Sequence, residues 1–411
     1  TAAPTVENLM ENDAKGPLHG VTVLELSSMY AAPTCGRMMR DFGATVIKVE
    51  DPVAGDFARQ WSPFKNGLSL GFSRLNSGKR SLGIDLRSED GREIVRDLVP
   101  HVDVVLESFR PGRMEAWGLG YDILSSRNPG VVMTRVSGFG QTGPYSERPG
   151  FGTVAETSSG YAYINGWPST PPTSPPFGFA DSIAGISAAF GTAMALFNRG
   201  RTGVGDVVDV ALYEPLMFII GDIILQWTGN GAIQERVGNG TGSASPRGIF
   251  QAKDGKWLSI AASSQTIAVR LFEAMDRPDI IEDPRYATNA ARMEHNEDMQ
   301  KIVSEWVATQ PRTEILAILE SHDVVAAGVN DARDVTEDPH FSERTLVDLT
   351  GSDLLGKVKM PGPILHVSSY SGPEYEGVPE IGQHTKEVLQ DFLGFDDARI
   401  QSLAQSGVIS R

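Results

Sequence analysis

Cysteine is almost missing from this chain. Among 411 residues there is one, Cys35, so no internal disulfide is possible and a reducing, cytoplasmic setting is the expectation. No apolar run approaches the roughly 20 residues that span a bilayer, so no membrane segment is expected. The first fifteen residues hold several acidic groups and no apolar core, which excludes a signal or transit peptide on this reading and marks 1–15 as an N-terminal extension. The seven histidines, His19, His101, His295, His322, His340, His366 and His384, stand at no metal-ligand spacing, and no metal site is expected. No serine or cysteine sits in a nucleophile elbow, which speaks against a hydrolase triad. Positive charge is scarce: 36 Lys and Arg face 52 Asp and Glu, a net charge of -16, so nucleic acid is excluded as the main partner. One anionic small ligand in a local basic pocket remains compatible with that balance.

What is present is an ordinary globular composition, 40% hydrophobic and 21% charged, long enough for two domains. The β-branched run Gly20–Leu26, a helix from about Ala32 to Phe42 closed by Gly43, and a second run Ala44–Glu50 form a βαβ unit. The rhythm repeats with strands at Lys79–Leu86, Val102–Glu107, Val131–Ser137 and Asp206–Leu212, and a helix opening at Ser88. The fold class expected is α/β, an open, mostly parallel, Rossmann-like sheet with helices on both faces. Ligands of such sheets bind beyond the carboxyl ends of the strands, here Ser28-Met29-Tyr30, Glu50-Asp51, Ser108-Phe109 and Ser137-Gly138. From Ile249 a smaller α+β unit is expected, with a strand at Trp257–Ala261 and helices near Thr266–Met275, Asn296–Ala308 and Pro311–Ser321. Thr385–Phe392 reads as a helix returning to the first domain. Gly138-Phe139-Gly140-Gln141-Thr142-Gly143 matches G-x-G-x-x-G after a strand, yet Pro144 and Pro149 predict a loop where a dinucleotide fingerprint needs a helix.

The stretch Gly178–Gly191 stands out. A loop rich in proline and serine ends there, and an apolar, small-residue helix is predicted to run to about Asn198. Asp181 takes the N-cap place, where it is either a plain helix cap or a carboxylate nucleophile presented without bulk around it. Ala184, Gly185, Ala188 and Ala189 would let a large ligand or another backbone approach closely. Lys48, Lys79, Arg80, Arg110 and Arg113 fall near strand ends; singly each reads as a solvated charge, and together they fit the phosphates of a nucleotide-like ligand. Tyr30 and Phe109 read as core or as flanks of an adenine.

These motifs resemble the class III CoA-transferases. The resemblance is carried by Gly16–Leu26, Asp41–Glu50, Asn76–Ser81, Glu107–Gly112, Gly138–Pro144 and Gly382–Leu389, in order over about residues 16–395. It includes formyl-CoA transferases, carnitine CoA-transferases and acyl-CoA racemases. The resemblance implies a large α/β domain from 16–225 and 340–411, a small α+β domain at 240–335, and an interlocked homodimer. It implies that Asp181 is the nucleophile, forming an aspartyl–acyl anhydride and then an aspartyl-CoA thioester. It further implies a CoA pocket of Ser28, Met29, Tyr30, Ala31, Lys48, Asn76, Lys79, Arg80, Ser108, Phe109, Arg113 and Gly138, with acyl-CoA and a small carboxylic acid as substrates and no permanently bound cofactor. N–H groups near Gly185 or in the glycine-rich loop 238–248 are the expected oxyanion donors. Two positions depart from the racemases: Phe151 lies in the segment where they carry a histidine, and Gln251 near where a glutamate belongs, and neither titrates. A racemase or dehydratase-like enzyme and a non-catalytic CoA-binding subunit are the alternatives. Gly152 replaces an acidic residue of some transferases, with Glu156 as a substitute or as a structural residue.

Overall fold

The computed structural model describes residues 15–240, 242–375 and 377–410. The N-terminal extension lies outside them except for Lys15. The described residues divide into two compact units, one within 15–161, 175–221 and 339–410, the other within 162–174 and 222–338. Segment 162–174, placed in the first domain by sequence, belongs to the second unit.

The first unit is built on six parallel strands: β1 (Thr22–Leu26), β2 (Thr45–Glu50), β3 (Arg80–Gly83), β4 (Val104–Glu107), β5 (Val132–Ser137) and β6 (Val207–Ala211). Their order is β3-β2-β1-β4-β5-β6, every neighbour parallel. This is the dinucleotide-fold order, and it reverses between β1 and β4. Strand alternation sends Leu24 and Leu26 to one face and Val23 to the other. On the first face pack α2 (Glu89–Leu98), capped by Ser88, and α5 (Thr385–Leu393), whose Val388 and Leu389 join Leu82 in one core. Backbone bonds from His384 N–H to Ser81 O (3.0 Å) tie the late helix to β3.

On the second face lie α1 (Ala31–Asp41) and the long α4 (Phe179–Thr202). They cross at Gly185, where an added Cβ would sit 2.5 Å from Ala31 O and 2.6 Å from Thr34 Cβ. The small-residue stretch therefore admits another backbone, not a ligand. Gly185 is buried in that crossing. At 24 residues α4 is, by length and composition, apolar enough to cross a membrane, against the expectation of no such run. In this fold Ala180, Ala184, Ala188 and Ala195 enter the core, while Ile186, Phe190, Met194 and Phe197 stay exposed along one stripe.

The second unit carries an antiparallel sheet of β7 (Arg247–Gln251), β8 (Trp257–Ala261) and β9 (Ala326–Gly328), in the order β9-β8-β7. Helices Gln265–Ala274, Asn296–Val307 and Arg312–Ser321 cover it through Leu271, Met299, Val303 and Ile315.

Candidate active site

The carboxyl ends of β1, β4, β5 and β6 open into a cavity of about 490 Å³ that lies wholly within the first unit. The β1–α1 turn supplies Ser28, Met29, Tyr30 and Ala31, β4 leads into Ser108, and β5 ends at Ser137-Gly138; all line the cavity together with Asp181. The strand-end rule thus gathers these sequence candidates in one crevice at the switch point.

Asp181 is not the N-cap of α4. The cap residue is Gly178, and Asp181 sits three residues inside the first turn. The free Ala180 N–H of that turn donates instead to Glu156 Oε1 at 3.2 Å, an acceptor carried by α3 (Gly152–Ser158). Glu156 therefore does the capping expected of Asp181. Among the described residues no cation lies within ion-pairing distance of Asp181, and the lining contains no lysine, arginine or histidine. Burial first, and the neighbouring Glu156 charge second, push its carboxyl up to about 6. Gly152 makes the room: a Cβ there would stand 2.1 Å from Asp181 Oδ2. The departure at 152 is thus steric as well as electrostatic, since the acidic side chain stands one helical turn further on.

Six of the twelve expected CoA residues do not line this cavity. Lys48, Asn76 and Lys79 are 0, 0 and 2% exposed, and Lys79 borders a different cavity. Lys48 Nζ lies 2.9 Å from Glu25 Oε1 and 2.7 Å from Asp56 Oδ2; Lys79 Nζ lies 2.7 Å from Glu25 Oε2 and donates to Asn76 Oδ1 at 3.0 Å. Gly36 leaves space for this cluster, for a Cβ there would fall 2.0 Å from Glu25 Oε2. Burial raises Glu25, but Lys48 and Lys79 outweigh it and hold its carboxyl below the ordinary value. Burial lowers Lys79 to about 8. Arg80 lines a different cavity with His384 and pairs with Glu387 at 3.4 Å. Phe109 lines an adjoining cavity of about 260 Å³ with Trp117, its ring meeting Trp117 edge-on at 5.0 Å, and Ser28 belongs to both cavities. Arg113 is exposed, stacked 5.4 Å over Trp117.

The glycine motif makes no dinucleotide loop. An added Cβ on Gly138 would meet Gly150 Cα at 2.6 Å, so the two backbones cross there, and no helix follows Gly143. Trp61 and Phe177 also line the cavity and were not singled out by sequence; Trp61 carries no local signal, whereas Phe177 ends the Pro175-Pro176 run. Tyr30 is fixed by Arg74, whose Nη2 donates to its hydroxyl at 2.5 Å.

A dinucleotide-ordered parallel sheet whose switch-point crevice presents a half-buried carboxylate with no cation beside it among the described residues defines an α/β protein of the doubly wound class. Comparison with known proteins narrows this: the profile of CoA-transferase family III matches residues 18–385, and the chain belongs to that family. It is 39% identical over 394 residues to succinyl-CoA–D-citramalate CoA-transferase of Chloroflexus aurantiacus, covering 96% of this chain and 98% of that one. It is 32% identical to mouse succinyl-CoA:glutarate CoA-transferase, with 97% and 92% covered. Acetyl-CoA:oxalate CoA-transferase of Acetobacter aceti is 30% identical, with 92% and 96% covered. A crystal structure of a CaiB/BaiF family protein from Brucella suis superposes with a TM-score of 0.82 at 30% identity, covering 92% of this chain and all of that one (100%).

Proposed function

We propose that this CoA-transferase works through covalent intermediates on Asp181. The observation that carries the proposal is the state of that side chain: half-buried at the cavity wall, without a cation in ion-pairing distance among the described residues, and relieved of the helix-capping role by Glu156. The Asp181 carboxylate oxygen attacks the thioester carbonyl, the C–S bond breaks, and an aspartyl–acyl anhydride and CoA thiolate result. The thiolate then attacks the aspartyl carbonyl, giving aspartyl-CoA thioester and releasing the first carboxylate. A second carboxylate repeats the two steps in reverse and leaves with CoA, restoring Asp181. Each step exchanges one acyl–heteroatom bond for another, so positioning matters more than a strong base. Asp181 must be ionised to attack, so the rate should rise with pH through about 6.

Coenzyme A is here a substrate, not a resident cofactor. The cavity at Asp181 and the Phe109–Trp117 cavity meet at Ser28, which suits a long ligand with its thioester at one end. The relatives named above act on succinyl-CoA or acetyl-CoA with citramalate, glutarate or oxalate, and dicarboxylic acids are the substrates to test first. The exposed Ile186, Phe190, Met194 and Phe197 stripe supports a homodimer, and the single free, buried Cys35 goes with a reducing, cytoplasmic setting. The proposal is tested by assaying CoA transfer from succinyl-CoA to a panel of dicarboxylates with Asp181→Asn beside the wild type. Transfer by wild type and none by the variant is expected; equal transfer by both would remove Asp181 from the reaction.

A further inference from the structure

The turn joining β1 to α1 is where a dinucleotide fold ordinarily places glycines. Here it reads Ser27-Ser28-Met29-Tyr30, and Met29 adopts φ 75°, a left-handed conformation that a side chain resists. Something must hold it. The backbone N–H of Met29 donates to Asp56 Oδ1 at 3.0 Å. On the other side of Ser28, the carbonyl of Ser27 accepts from Lys48 Nζ at 2.9 Å. Lys48 and Asp56 are themselves joined at 2.7 Å, with side chains 0 and 1% exposed. The two members of one buried ion pair therefore hold the two peptide groups that flank Ser28, the residue shared by the two cavities.

We infer that Lys48 and Asp56 are positioning residues: the hydrogen bonds they make to Ser27 O and Met29 N–H clamp the Ser28–Met29 turn in its left-handed form and so shape the CoA site without touching the ligand, while the ion pair between them adds stability rather than grip. This rests on the proposal that the crevice takes an acyl-CoA. Asp56 is set for the task from behind. Its own N–H donates to Glu50 Oε2 at 2.9 Å, and Glu50 is held by Arg59 at 2.7 Å and by the Ser81 hydroxyl at 2.6 Å. Asp56 Oδ1 also caps the short helix Phe57–Gln60 through Ala58 N–H at 2.8 Å, so a plain loss of Asp56 disturbs the fold as well as the turn. The two contributions separate by chemistry. An amide at 56 keeps an oxygen for Met29 N–H but loses the charge facing Lys48. A glycine at 29 takes positive φ freely and no longer needs the clamp.

The test is calorimetric titration of coenzyme A into wild type, Asp56→Asn, Asp56→Ala, Met29→Gly and the Asp56→Ala/Met29→Gly double variant, with a thermal midpoint for each. Asp56→Ala should weaken CoA by about tenfold, the order of one lost hydrogen bond to a charged group. Asp56→Asn should change CoA affinity by less than about threefold while its midpoint falls, because the oxygen survives and the ion pair does not. The double variant should return to within about threefold of Met29→Gly alone, because the freed backbone replaces the clamp. If Asp56→Ala proves unfolded, the Asp56→Asn and Met29→Gly affinities still decide: an Asp56→Asn loss as large as its loss of stability implies overturns the clamp. An Asp56→Ala affinity equal to wild type, or a double variant no better than Asp56→Ala, overturns it too. A wild type that binds no CoA would instead overturn the proposed function on which the clamp rests.

Discussion

Two sets of carboxylates lie near the same end of one sheet, Glu25 with Asp56 and the half-buried Asp181 with Glu156, and their surroundings have opposite consequences. Glu25 and Asp56 face Lys48 and Lys79 at 2.7–2.9 Å, and both carboxyls are held below their ordinary values despite burial. Asp181 and Glu156 face each other's charge and no cation, and Asp181 is pushed up to about 6. Loss of water raises the carboxyls in both sets; the partners differ. A buried carboxylate with cations is part of the framework, whereas one without them keeps free energy in reserve for a reaction.

The sharpest way to break the contrast is to remove the Asp181 carboxylate. Asp181→Asn should lower CoA transfer by about three or more orders of magnitude, read as initial rate in freshly prepared protein. The same variant should unfold at a higher temperature than wild type at pH 8. A raised pKa favours the native state below about pH 4 and loses that advantage as pH rises through about 6, so the gain from the amide should fade toward pH 4. A variant no more stable than wild type at pH 8 would mean Asp181 is not destabilised by its setting. For Glu25 and Asp56 the sign reverses, since depressed values contribute stability above about pH 4 that is lost as pH falls.

The paired side breaks differently. Lys48→Met leaves Glu25 and Asp56 without that cation and should cost about 3–5 kcal/mol in denaturant unfolding. A near-neutral result would show that the cluster tolerates an unpaired charge. Next in size is Gly152→Ala, whose methyl would drive into Asp181 Oδ2; kcat should fall by about tenfold to a hundredfold with the fold intact. Unchanged kcat there would place the carboxylate elsewhere during turnover. The smallest effect sharpens the comparison: Glu156→Gln removes the repelling charge but keeps an oxygen for Ala180 N–H, so the acid limb of the pH–rate profile should move below about 6. A limb that stays put would assign the shift to burial alone.

Much of this was legible in the sequence, for physical reasons that can be named. Parallel strands buried on both faces announce themselves as β-branched runs, so Thr22–Leu26 and its neighbours could be placed, and strand ends then located Ser28, Ser108 and Gly138 at the crevice. Lys48 shows what stayed hidden. A cation inside a buried strand signals an ion pair as readily as a ligand, and its partner Asp56 lies in an irregular loop with no periodic signature. Asp181 looked like a cap because caps are local, yet the group that satisfies Ala180 N–H comes from α3, twenty-four residues away in sequence. Gly152 and Gly138 mark close approaches between distant backbones and side chains, which spacing along the chain cannot reveal.

The central claim is that the unpaired carboxylate becomes covalently attached during turnover. Its most direct test is intact mass of the protein after brief mixing with succinyl-CoA and no acceptor, followed by peptide mapping. An aspartyl-CoA thioester would appear as an adduct equal to CoA less one water, located on Asp181 and absent from Asp181→Asn. An adduct on another carboxylate, or no adduct on any residue of protein that transfers CoA once an acceptor is added, would contradict the claim.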